Sequence, residues 1–238
     1  MSDLQINEEE PRLVVGLGGE PQKGPKLSMK AFLFGVVVLL FGGLCSVISK
    51  SWADGVLFLY VGYTALCFVL QHEYRPRLRQ FGLSRGVLWS RRTLAWIGPG
   101  LALAGAELIF LYGTAYLVSA LGPSRHTLMV GVQPLGRIIQ HPFEPLIIGV
   151  IGPILEELLF RGYLYLVLRQ NWGRRWAALV SSAIYAACHL GNVLFMAKVF
   201  VVSVLDIYLN NKARSLAPSI AEHASYNLIL SVVTFHTT

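Results

Sequence analysis

The chain has 238 residues, of which 54% are hydrophobic and only 14% charged, with a formal net charge of +7. A soluble domain carries about 25% charged residues, so the composition argues against a water-soluble fold. Lys and Arg gathered between long apolar runs mark the cytoplasmic loops of a membrane protein and argue against a nucleic-acid surface.

Residues 1–30 mix Glu, Gly, Pro and Lys without apolar periodicity and read as a disordered cytoplasmic tail. No cleavable signal peptide is expected, because the first apolar run begins at Ala31 behind Glu8, Glu9 and Glu10 and is long enough to span. Candidate spans follow at Ala31–Ile48, Gly55–Leu70, Leu94–Leu121, Pro145–Leu168, Trp176–Leu190, Val193–Leu209 and Ser219–Phe235. Several are shorter than the usual ~20 residues, so their ends are soft.

Cationic residues order the connections. Arg75, Arg77, Arg79, Arg85, Arg91 and Arg92 follow the second span, Arg169, Arg174 and Arg175 the fourth, and Lys212 and Arg214 the sixth. All three connections are cytoplasmic if the N-terminus is inside. The segment from Gly122 to Glu144 holds only Arg125 and Arg137, and nothing basic follows Phe235, so both are expected outside. Cys45, Cys67 and Cys188 lie within apolar segments with neither paired nor CxxC spacing and read as small fillers.

A charge at the centre of a bilayer costs about 2.5–3.5 kcal/mol on insertion scales, which makes charged residues in spans functional suspects. The fourth span reads Gly152-Pro153-Ile154-Leu155-Glu156-Glu157-Leu158-Leu159-Phe160-Arg161-Gly162. Pro153 suits the first turn of a helix and predicts a break or kink there. Glu157 and Arg161, four apart, share a face and can pair, whereas Glu156 points about 100° away and has no local partner. An unpartnered carboxylate in an apolar span is a candidate general base. In the fifth span His189 follows Tyr185 by four residues, and the last span carries His223 and Asn227 four apart. A lone His is ordinarily a hydrogen-bonded core residue, and a His–Asn pair is ordinary helix glue. Together, however, Glu156, His189, His223 and Asn227 supply a base for water and donors for the oxyanion of amide hydrolysis.

On these residues the chain resembles the CPBP family, the CAAX protease and bacteriocin-processing (Abi) group that includes the type II CAAX prenyl endopeptidases. The resemblance runs from about Pro153 to Leu230. It is carried by Glu-Glu-x-x-x-Arg at Glu156, Glu157 and Arg161, by aromatic-x-x-x-His at Tyr185 and His189, and by Ser215-Leu216-x-Pro218-x-Ile220 leading to His-x-x-x-Asn at His223 and Asn227. It implies a glutamic intramembrane endopeptidase in which Glu156 activates water with help from His189. His223 and Asn227 would stabilise the oxyanion, and Glu157 with Arg161 would support the site. Tyr185 stands where the family often has Phe, a change expected to affect packing more than chemistry.

The expected fold is an all-α polytopic transmembrane bundle of about seven spans, like that of CAAX prenyl endopeptidases. One protease domain covers 31–238, with its motif-bearing core at 145–235. Neither cofactor nor metal is expected. The expected partners are the lipid bilayer and a membrane-associated or lipidated protein substrate, of which prenylated CAAX tails are one case. The expected location is the cell membrane. Three other readings stay open. A zinc-dependent protease would draw on His189, His223 and Glu156, although His72-Glu73 is not completed to HExxH. A transporter would explain Glu107 and Asp206, although the polar motifs fall in one half. A non-catalytic adaptor or bacteriocin-immunity-type protein would keep the scaffold alone. One tension accompanies all of them: simple alternating spans put His189 and His223 at opposite ends of their helices. Convergence of the four polar residues then requires a broken or re-entrant segment between Gly191 and Leu209, or shifted span boundaries.

Overall fold

The computed structural model describes residues 62–65, 81–120, 144–189 and 193–236. The tail over 1–30, the first span, most of the second and nearly all of the Gly122–Glu144 connection lie outside the described residues. Regular structure among the described residues is entirely helical. In chain order it comprises α1 (Arg85–Leu88), α2 (Arg91–Ala120), α3 (Glu144–Leu146), a first π-helical stretch (Ile147–Ile151), α4 (Gly152–Glu156), a second π-helical stretch (Glu157–Leu164), α5 (Tyr165–Cys188), α6 (Val193–Ala213) and α7 (Ala217–His236).

Two segments, Arg91–Thr114 and Val193–Ala213, are long and apolar enough to cross a bilayer. On α2, Ile109, Phe110, Tyr116 and Leu117 are each more than half exposed. An uncovered apolar face of that size fits lipid better than water. Inward-facing side chains instead build a core around Phe160, Tyr165, Leu166 and Tyr185, all 4% exposed or less.

The fourth span does not break at Pro153. Backbone angles stay in the right-handed helical region through Ile151 and Gly152, and the ladder widens instead. Gly152 donates to the carbonyl of Ile147, five residues back. Proline has no N–H to give, and in this wider register the acceptor it leaves is the carbonyl of Ile148. Asn227 Nδ2 of α7 donates to that oxygen at 3.4 Å. The second π-helical stretch ends likewise, with Tyr165 N–H bonded to Phe160 O. Such windings are rare and concentrate at functional sites.

Between the expected fourth and fifth spans the helix is interrupted only at Gly173, with φ 74° and ψ 172°, a conformation that glycine alone adopts readily. The limb after it, ending at Cys188, rises about 22 Å at 1.5 Å per residue, short of a hydrocarbon core of about 30 Å. His189 follows directly on this short limb. Because α6 runs unbroken from Val193 to Ala213, no re-entrant segment is needed within it. The limb keeps nearly the bounds expected for the fifth span, and the histidines meet beside an unbroken α6.

Polar bonds seat the start of α7. Helix α6 ends at Arg214 in the left-handed region (φ 60°), and Ser215 N–H bonds Asn210 O at 3.2 Å, a Schellman-type closure. Asn210 Oδ1 accepts from the Ser219 N–H at 3.2 Å while its Nδ2 donates to Ser219 Oγ at 2.7 Å. One side-chain amide thus satisfies a free donor of the first turn of α7. Ser215 Oγ donates to Gly82 O at 2.7 Å, and Leu216 N–H donates to Phe81 O at 3.0 Å. The Ser-Leu-x-Pro-x-Ile segment is therefore the joint that seats the last helix, with Pro218 in its first turn. Further along, a Cβ at Gly149 would lie 2.9 Å from Leu228 Cα, so α7 can rest directly on the first π-helical stretch only because that residue is glycine.

Candidate active site

Glu156 closes α4 and is 6% exposed. Its Oε2 accepts a hydrogen bond from Tyr185 Oη at 3.0 Å. The same oxygen is 4.0 Å from His189 Nε2 and 3.8 Å from His223 Nε2. Those gaps exceed a direct hydrogen bond and match the spacing at which one water can bond both groups.

Both imidazoles are oriented from behind. His189 Nδ1 lies 3.0 Å from the carbonyl oxygen of Tyr185, which only accepts, so Nδ1 carries the hydrogen. His223 Nδ1 lies 3.1 Å from Glu157 Oε1 and donates to that carboxylate. With Nδ1 committed in each, Nε2 faces Glu156 and presents a lone pair whenever the ring is neutral. Local geometry explains the first contact: His189 is the first residue past the end of α5, with φ −91° and ψ 43°, and its ring folds back beside that of Tyr185.

Glu157 and Arg161 form the expected pair, Oε1 to Nη1, at 3.0 Å, both almost wholly buried. Arg161 has a second counter-ion in Asp206 of α6, at 3.0 Å from Nη2, and its Cζ sits 3.9 Å above the Tyr185 ring. A continuous polar chain follows, Asp206–Arg161–Glu157–His223, spanning α6, the second π-helical stretch and α7. Three partners for one buried guanidinium compensate much of its desolvation.

Of the residues singled out from sequence, Glu156, Glu157, Arg161, His189 and His223 converge. Asn227 lies one turn beyond His223, bonded to the Ile148 carbonyl. Two members escaped the sequence reading: the Tyr185 hydroxyl, treated there as packing, and Asp206, treated as a mark of transport. A charged residue inside an apolar span was the available signal for Asp206, but its partner stands 45 residues earlier. Beside the cluster, Glu107 of α2 pairs with Lys198 of α6. Glu222 hydrogen-bonds Glu107, and the Lys198 ammonium lies 4.3 Å from the Tyr226 ring centroid. Among the described residues, no group of three or more His, Cys, Asp or Glu side chains is arranged to hold a metal ion.

The described residues thus bring a buried acid and two imidazoles together on an apolar helical scaffold. The type II CAAX prenyl endopeptidase Rce1-like family matches residues 139–229, the segment holding Glu156, His189 and His223, and there the resemblance to the CPBP group is borne out. The chain is also 30% identical over 82 residues to the UPF0177 protein YxdF of Lactococcus lactis subsp. lactis (strain IL1403), an overlap of 34% of this chain and 45% of that protein. The chain thus spans less than half the length of that curated relative. No solved structure matches it.

Proposed function

We propose that the protein is an intramembrane endopeptidase of the glutamic type, hydrolysing a peptide bond in a membrane-associated or lipidated protein. The observation that carries this reading is the convergence of both Nε2 atoms on Glu156 Oε2, at 4.0 and 3.8 Å, with each Nδ1 already engaged. Water between these groups gives one hydrogen to the Glu156 carboxylate and the other to the His189 lone pair, which aims its oxygen at a scissile carbonyl. Asn227, through the amide hydrogen not bonded to Ile148, and His223, once its Nε2 carries a proton, supply donors to the oxyanion. Glu157 and Arg161 hold His223 in register.

A buried site is reached most directly by a chain already held at the bilayer, so the substrate is a lipid-anchored or membrane-spanning protein, with prenylated CAAX tails one case. The arginine-rich connections support a cytoplasmic N-terminus, and the cell membrane is the proposed location. The test is cleavage of a peptide panel, prenylated and not, by detergent-purified protein, comparing wild type with Glu156→Gln, His189→Ala and His223→Ala, with and without a zinc chelator. We expect cleavage by wild type, loss in all three variants and indifference to chelation. Chelator-sensitive cleavage would transfer the site to zinc chemistry, and folded wild type that cleaves nothing would leave a scaffold without proteolysis.

A further inference from the structure

Tyr185 is the member of the cluster whose chemistry the three motifs do not demand, since phenylalanine often holds its place in the family. Here the side chain is buried and closely held: its ring centroid lies 3.9 Å from Arg161 Cζ, 4.8 Å from the Phe160 ring and 4.4 Å from the His189 ring. Its hydroxyl has little freedom to choose new partners. Glu156 Oε2 stands at 3.0 Å and His223 Nε2 at 3.5 Å, and the Arg161 guanidinium also hydrogen-bonds this side chain. The hydroxyl owns one hydrogen and can accept two. The neutral His223 ring, whose Nδ1 hydrogen is committed to Glu157, offers only a lone pair at Nε2. While Glu156 is ionised both neighbours only accept, and the single hydrogen goes to Oε2; once Glu156 carries a proton, the hydroxyl can accept from it and donate to His223, a proton bridge from the candidate base to an imidazole backed by a carboxylate.

We infer that the Tyr185 hydroxyl relays to His223 the proton that Glu156 takes from water, which makes His223 the acid that protonates the leaving amine. This inference rests on the proteolytic reading proposed above. In the first step a water O–H bond breaks as the oxygen bonds to the scissile carbonyl carbon, and the proton passes to Glu156. The protonated Glu156 then gives a proton to the Tyr185 oxygen while the Tyr185 O–H gives its own to His223 Nε2. Carboxylate and phenol are restored, and His223 becomes an imidazolium held at Nδ1 by Glu157. That buried carboxylate stabilises the cation as the acid of a Ser-His-Asp triad does. As the C–N bond breaks, the imidazolium transfers its Nε2 proton to the amine nitrogen. One water is consumed, its hydroxyl on the acyl product and its proton on the amine.

Tyr185→Phe removes only the hydroxyl and installs the residue common in the family, so the fold is expected to survive. With the peptide that wild type cleaves fastest in the panel above, we expect kcat to fall on the order of 10²-fold, the usual reach of general acid–base assistance, with KM unchanged. In a His223→Gln background the same change should cost nothing more, because both variants cut one path. The ¹⁵N resonance of His223 Nε2, recorded on the full-length protein in detergent, should shift in Tyr185→Phe because its hydroxyl partner is gone. Wild-type kcat in Tyr185→Phe, a loss that multiplies with that of His223→Gln, or an unmoved His223 resonance would each overturn the relay while Glu156→Gln stays inactive and the proteolytic reading stands. Retained cleavage in Glu156→Gln, or none in wild type, would instead overturn that reading and the relay with it.

Discussion

Replacing Asp206 by Asn removes one of the two negative charges on Arg161 and leaves the side-chain volume almost unchanged. Truncating one partner of a buried ion pair costs about 3–5 kcal/mol when the survivor is left uncompensated. Arg161 is not left so: Glu157 stays at 3.0 Å and the Tyr185 ring at 3.9 Å. The ring contact is worth about 0.5–2 kcal/mol, and the Asn carbonyl still accepts from Nη2. We therefore expect a loss near 2 kcal/mol, roughly thirtyfold in the unfolding equilibrium at 1.4 kcal/mol per decade. Arg161→Met should cost more, about 3–5 kcal/mol, because it strands Glu157 and Asp206 together without a cation. The assay is reversible unfolding in mixed micelles, followed by circular dichroism, for wild type, both single variants and the double variant. If the chain Asp206–Arg161–Glu157–His223 is one network, the double variant should fall short of the summed losses by at least about 1 kcal/mol. Additivity within about 0.5 kcal/mol would refute the argument, since it would mean that Asp206 and Arg161 do not stabilise each other.

Other consequences are checked on the same protein. Asn210→Ala removes both bonds to Ser219 and orphans a helix-start donor, so it should lower stability by about 1–3 kcal/mol in the same titration; an unchanged midpoint would deny the clamp its role. Arg214→Gly relieves a left-handed residue whose strain is about 1–2 kcal/mol, partly offset by the greater chain entropy of glycine. A gain of up to about 1 kcal/mol is expected, and a loss would mean that the Arg214 side chain outweighs its backbone. Phe110 is 58% exposed on α2, so a fluorophore attached to Phe110→Cys in liposomes should be quenched by brominated lipid and not by aqueous iodide. The reverse pattern would remove lipid from that face.

Spacing alone made much of the site legible. Pairs four apart on one helix, Glu157 with Arg161 and Tyr185 with His189, are local facts that a helical repeat exposes. Apolar runs likewise marked the helices Arg91–Ala120, Val193–Ala213 and Ala217–His236 to within a few residues. What spacing does not carry is the pairing of groups far apart in the chain. Asp206 with Arg161, Glu107 with Lys198, and Asn210 with Ser219 join residues on different helices, and nothing at either position names its partner. The winding of the fourth span was also hidden. Pro153 signalled an irregularity, but whether a helix kinks or widens depends on who satisfies the freed carbonyl, and the answer, Asn227, lies 79 residues from Ile148. The approach of His189 to His223 depended on where α5 ends, which residue identity alone does not fix. The seven-span count and the tail fall on residues outside those described.

The two widened stretches on either side of α4 also make the site sensitive to the length of the chain. An α-helix turns about 100° per residue, and a π-helical turn accommodates an additional residue within the same scaffold. Deleting Leu158, Leu159 or Phe160 would shorten the Glu157–Arg161 spacing from four to three and, where the widened ladder does not tighten to absorb it, would rotate Glu156 against Arg161 and Tyr185 by about a quarter of a turn. Glu156 would then face away from both imidazoles although every functional side chain was retained. Substitutions in this apolar stretch are graded in their cost, whereas insertions and deletions are all-or-none. A descendant that lost the activity by a one-codon deletion there would keep every functional residue and show the loss only in the spacing of Glu-Glu-x-x-x-Arg.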